Sequence, residues 1–174
     1  MLQLAEIWIY PIKSLGGISL LQSKVLAKGL AYDRRWMLMD DTNKFMTQRT
    51  LPEMALFTTE IENESIKVTF RKNNSTIQFP IQKQYDGTTF SAVIWDDVVE
   101  VQEVNQTISQ WFTDCLQKKC RLVFLPETAS RPVDVRYAKQ QEQVSLADGY
   151  PFLIIGQSSL DDLNKKLIEP ILMN

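Results

Sequence analysis

Across the first hundred residues, hydrophobic and polar positions alternate in runs too short for helices. Leu4 to Tyr10, rich in Ile and Trp, reads as a strand halted by Pro11. Ser19 to Leu26 reads as a second, closed by Lys28-Gly29, and Arg35 to Met39 as a third. Asp40-Asp41-Thr42-Asn43 supplies turn chemistry before Phe45-Met46-Thr47 returns, so a hairpin is expected there. Leu51-Pro52-Glu53-Met54 then interrupts the pattern. Leu56 to Ile61, Ile66 to Arg71 and Thr76 to Phe79 follow, separated by polar turns, and Thr88 to Trp95 and Val98 to Val101 flank Asp96-Asp97. Many short strands at this spacing predict a barrel or sandwich-like module.

The period then changes. Ile108, Trp111, Phe112, Cys115 and Leu116 fall on one face of a helix that Asn105 is placed to cap. Arg121 to Leu125 reads as a strand, and Pro126 to Ala147 as a long polar loop of the kind that carries function. Phe152 to Ile155 reads as a buried strand. A helix with capping hydroxyls Ser158 and Ser159 and first-turn acids Asp161 and Asp162 follows, ending before Pro170. The fold class expected is α+β and predominantly β. Residues 1–124 form a β-barrel-like domain; residues 125–174 form a loop and the opening of a second one.

Composition narrows the chemistry. There are 174 residues and no histidine, which removes a Ser-His-Asp triad and any His-ligated zinc or iron site within this chain. A net charge of -2 counts against bulk binding of nucleic acid. No apolar run is long enough to span a bilayer, and the first residues lack the basic-then-apolar order of a signal peptide. Cys115 and Cys120 are too few for a disulfide scaffold, which fits a reduced, cytoplasmic setting. Their spacing suits neither a redox pair nor a zinc knuckle, so Cys115 is read as a core residue and Cys120 as inert.

Three segments have the composition of an anion site. Lys13-Ser14 ends an apolar strand and precedes Leu15-Gly16-Gly17: a point charge, a hydroxyl and glycines that let a ligand approach the backbone. The bland alternative is a strand end with a solvated lysine. In Asp33-Arg34-Arg35-Trp36 a guanidinium offers forked donors matched to phosphate, and two adjacent arginines on a strand point to opposite faces, so at most one serves a given site. Thr47-Gln48-Arg49 is the third and weaker segment, and Arg131 and Arg136 read as a solvated or ion-paired surface cluster.

Taken in order, Trp8-Ile9-Tyr10-Pro11-Ile12-Lys13-Ser14, Gly29-Leu30-Ala31-Tyr32-Asp33-Arg34-Arg35-Trp36 and Thr47-Gln48-Arg49 resemble the N-terminal β-barrel domain that precedes MOSC domains. Ala147-Asp148-Gly149-Tyr150-Pro151-Phe152-Leu153-Ile154, with Ser159 to Asn164, resembles the opening of the MOSC domain itself. The resemblance implies binding of the molybdenum cofactor (molybdopterin), a pterin carrying a phosphate and a dithiolene-held metal. Lys13 and Ser14 match positions that contact it, Arg34 an arginine at its phosphate end, and Gly149 and Tyr150 a contacting loop where the family often has small hydroxyl residues. No residue is assigned a catalytic or metal-ligating role. The family's Arg-Pro-Asn segment and metal-ligating cysteine follow the point where this chain stops, so the expectation is a truncated chain without turnover. The whole protein would be an oxidoreductase reducing N-hydroxylated compounds with a redox partner protein. The alternatives are a sulfur-carrier or cofactor-delivery module beside a pyridoxal-phosphate-dependent desulfurase domain, or a β-rich interaction domain without ligand.

Overall fold

A computed structural model describes residues 3–82 and 84–172. The mostly β architecture expected from the sequence is observed. β1 (Ile7–Ile9) pairs antiparallel with β2 (Ile18–Leu20), and β3 (Val25–Leu26) with β4 (Gly29–Leu30). β5 (Trp36–Met39) precedes a 3-10 turn at Pro52–Leu56. The antiparallel sheet β6 (Phe57–Glu62), β7 (Ser65–Phe70) and β8 (Ser75–Pro80) comes next. β9 (Thr89–Ile94), β10 (Asp97–Glu103), α1 (Gln106–Leu116) and β11 (Arg121–Phe124) lead to the last element, α2 (Gln157–Asn164). β5 is drawn out of chain order into a four-stranded sheet, β5-β11-β10-β9.

That sheet explains two fully apolar runs. Trp36, Leu38, Leu122 and Phe124 point into a core shared with β6–β8 and α1. Met37, Met39, Val123 and Leu125 point the other way, into a second core with Ile94, Val101 and Leu146. A strand buried on both faces has no polar position to alternate with. On β7, by contrast, Ile66, Val68 and Phe70 are buried while Ser65, Lys67 and Thr69 are only partly so, as period two requires of a sheet with one wet face.

α1 forms where its stripe predicted. The Asn105 side chain accepts the Thr107 N–H at 2.7 Å, and Gln117 ends the helix in the left-handed region (φ 51°). Ile108, Phe112 and Leu116 are buried against the core, with Trp111 and Cys115 at its margin.

Other expectations fail for physical reasons. Ser19–Leu26 divides into β2 and β3, because β2 follows β1 while Val25 and Leu26 turn away to pair with Leu30 and Gly29. The hairpin after β5 shrinks to single bridges, Met39 with Phe45 and Lys44 with Val93. Phe152 to Ile155, expected as a buried strand, is exposed and forms no strand: no neighbouring strand among the described residues offers it a ladder. α2 starts from Gly156 without a side-chain cap, and Asp161 and Asp162 lie beyond its first turn. No helix among the described residues is long and apolar enough to cross a membrane.

Candidate anion-binding cleft

Pro11 ends β1, but the chain stays in register with the segment before β5. Arg34 N–H donates to the Tyr10 carbonyl (2.8 Å), Trp36 N–H to Pro11 (3.1 Å) and Lys13 N–H to Trp36 (2.8 Å). The Asp33 carboxylate accepts the Tyr10 N–H at 2.7 Å. This lacing sets Lys13-Ser14 beside Arg34. Ser14 (φ 63°) and Arg34 (φ 48°) both hold left-handed backbone, at a cost of about 1–3 kcal/mol each that the surrounding bonds must sustain.

The cleft encloses about 460 Å³. All five residues singled out by resemblance, Lys13, Ser14, Arg34, Gly149 and Tyr150, line it, and so do Thr47, Gln48 and Arg49. Three cations therefore face the cleft, with Asp148 the one acidic residue in its lining. The Lys13 side chain is only 6% exposed, and its ammonium reaches Asp148 Oδ1 at 2.5 Å and sits 5.1 Å from the Phe45 ring centroid. Burial pushes its pKa below the usual lysine value, aided by the Arg131 and Arg34 charges and opposed by Asp148. The Asp148 side chain, 58% exposed, also meets Arg49 at 3.5 Å and accepts from Trp95 Nε1 at 3.2 Å. Partial burial resists its ionisation. The hydrogen bond and charge of Lys13 outweigh that, with Trp95 and Arg49 adding, and hold its carboxyl below the usual range. Arg34 pairs with Asp33 at 2.6 Å and lies over the Tyr10 ring, 4.7 Å from its centroid.

The adjacent arginines line different cavities, though not by strand alternation: both precede β5, and Arg34 holds left-handed backbone. Arg34 lines this cleft, while Arg35 is buried against Glu127 and the Leu125 carbonyl. Gly16 and Gly17 have a different role from the ligand approach expected of them. A Cβ on Gly16 would lie 2.6 Å from the Phe57 carbonyl oxygen, and one on Gly17 2.7 Å from the Tyr10 ring, so they serve packing. Gly149 has open space around it, and the half-exposed Tyr150 meets Tyr137 edge-on at 6.1 Å.

Arg131 corrects a sequence reading. It is 2% exposed rather than a solvated surface group. Its Nε pairs with Asp97 at 2.8 Å, Nη1 donates to the carbonyls of Ser145 (2.7 Å) and Ala147, and Nη2 to that of Asp148 (3.0 Å). One guanidinium thus fixes the backbone that carries Asp148, Gly149 and Tyr150. Arg136, its neighbour in the loop, is exposed and paired with Asp134. Trp95, at the β9–β10 turn, was also missed. Neither contact follows from local pattern: each joins residues distant in the chain. Both cysteines lie away from the cleft, and burial pushes the Cys120 thiol up to about 11.

The chain belongs to the MOSC N-terminal beta barrel domain family, whose profile matches residues 1–119. Among curated proteins it is 28% identical to mitochondrial amidoxime-reducing component 1 of Mus musculus, over 94% of this chain and 50% of that protein. It is 27% identical to the molybdenum cofactor sulfurase of Arabidopsis thaliana, over 94% of this chain and 21% of that one. The human amidoxime-reducing component 1 matches at 26%, again over 94% of this chain and half (50%) of the relative. The chain thus spans half or less of the length of these relatives.

Proposed function

We propose that this cleft grips the phosphate-bearing end of the molybdenum cofactor, as the cofactor-binding portion of an oxidoreductase that reduces N-hydroxylated compounds. The observation that carries the reading is the convergence of Lys13, Arg34 and Arg49 on one cleft with a single acid in its lining. Of the three, Lys13 is the dehydrated one, and a dehydrated cation attracts an oxyanion far more strongly than a solvated one does. The residues fit the group: Lys13 and Arg34 would hold the phosphate, the Ser14 hydroxyl would donate to it, and Gly149 and Tyr150 would form the opposite lip. When bound, the cofactor supplies two-electron chemistry at its metal, and the protein's part is to hold and orient it. Asp148, already bonded to Lys13, is the internal anion that an incoming phosphate displaces or shares. In the complete enzyme a redox partner protein would supply the electrons.

The test loads the whole chain with molybdopterin and measures released, oxidised pterin by fluorescence per mole of protein. Lys13→Met and the double variant Lys13→Ala/Arg34→Ala should retain at least tenfold less, with melting temperature recorded alongside. Equal retention by both would overturn the assignment. The similar identity to the sulfurase favours a second reading, a sulfur-carrier or cofactor-delivery module. It uses the same grip, and a desulfurase domain in the same gene would select it.

A further inference from the structure

Arg35, next in the chain to Arg34, lines a second cavity, of about 340 Å³. Arg35 and Lys28 line it with Glu127, over an apolar floor that includes Leu26, Ala27 and Ala129. The Arg35 side chain is 7% exposed. It spends Nη2 on the Leu125 carbonyl (2.8 Å) and Nη1 on Glu127 (2.9 Å). Its Nε–H is buried and has no hydrogen-bond partner among the described residues. An unmatched charged donor at this depth costs about 1–3 kcal/mol or more, so it calls for an explanation. Lys28, half-buried at the rim, donates to the Glu127 main-chain carbonyl at 2.8 Å rather than to its carboxylate. Two cations thus face one carboxylate. Burial, with the Arg35 charge adding and Glu127 opposing, also depresses the Lys28 pKa, as expected of a cation short of negative charge.

The unmatched guanidinium donor leaves positive charge beside the cavity, and Lys28 adds a second cation to the same lining. We propose that this cavity is a binding site for a small organic oxyanion, with Lys28 and Arg35 receiving the charged head and the apolar floor receiving a short tail. The volume lies at the lower end of small-molecule sites, which limits the ligand to a few carbons. A phosphate or a carboxylate head would accept from the Lys28 ammonium and offset the charge of Arg35, whose Nε–H is itself buried. The site is distinct from the front cleft: the two share no lining residue.

The test is an amide NMR titration of the whole chain, at ionic strength held constant with chloride, using inorganic phosphate in one series and propionate in another. Saturable shifts at Ala27, Lys28 and Ser130 are expected in at least one series. The one that saturates identifies the head group. In Lys28→Gln, at the rim and outside the core, the apparent affinity should fall at least tenfold, while Lys13→Gln should leave it within twofold. Shifts that stay linear in both series would overturn the proposal. So would saturation that survives Lys28→Gln, or saturation that is lost in Lys13→Gln, since that would place the anion in the front cleft.

Discussion

Replacing Lys13 with methionine should weaken anion binding while leaving the fold as stable as before, or more so. The ammonium is removed from water almost completely, and its partner Asp148 is not. Dehydrating an ion costs several kcal/mol, repaid only when the pair is well formed on both sides. Here the carboxylate is 58% exposed, so solvent screens the attraction and the pair returns about 1 kcal/mol or less. Methionine keeps most of the length of the side chain, gives up the ammonium's approach to the Phe45 ring, and leaves Asp148 free to rehydrate. The expected change in stability lies between about 0 and +2 kcal/mol. At about 2–4 °C per kcal/mol for a chain of this size, the melting temperature should rise by up to about 8 °C.

The pH dependence fixes the sign. With a folded pKa below the unfolded value, the folded state binds fewer protons across that interval, so wild-type stability should climb as pH rises through it. The variant should lack that climb. Loss of a charge-assisted hydrogen bond worth about 1.5–3 kcal/mol predicts anion affinity lower by about ten- to a hundredfold. Circular dichroism melts and urea titrations at several pH values supply the stability side. Destabilisation beyond about 1 kcal/mol would refute the reasoning, since Lys13 would then be a structural ion-pair member.

Arg131→Met should lower stability by about 3–5 kcal/mol in urea unfolding, because Asp97 and three buried or part-buried carbonyls lose their donor together. Asp148→Asn should lower stability slightly at neutral pH. As the folded pKa of Asp148 is depressed, the wild-type advantage should persist above the unfolded carboxylate value and vanish as pH falls through the folded one, seen in melts between about pH 6 and 2. Gly149→Ser should change stability by less than about 0.5 kcal/mol, whereas Gly16→Ala should cost about 1–3 kcal/mol through its contact with the Phe57 carbonyl.

Much of this was legible without coordinates, though not evenly. Strands on β6 to β10 and the α1 stripe were readable because their signals are local: period two in the strands, period 3.6 in the helix, and an asparagine at the cap. Lys13, Ser14 and Arg34 were nameable from residue type and order along the chain, whereas Gly149 and Tyr150 came only from the family resemblance. The Phe152–Ile155 run misled, since apolar continuity reports a preference for burial and says nothing of whether a partner strand is in place. Arg131 misled in the opposite sense, since charge reports a preference for water that four hydrogen-bonded or ionic partners override.

The sequence by itself therefore determined the β-rich class, the helix and the candidate cations. Only the tertiary structure decided that three of those cations share one cleft with Asp148, that Arg131 holds its lip, and that Arg34 and Arg35 line different cavities. The physical reason is range: propensity and period act between neighbours in the chain, whereas desolvation, ion pairing and the sharing of a guanidinium among carbonyls depend on which distant segments meet.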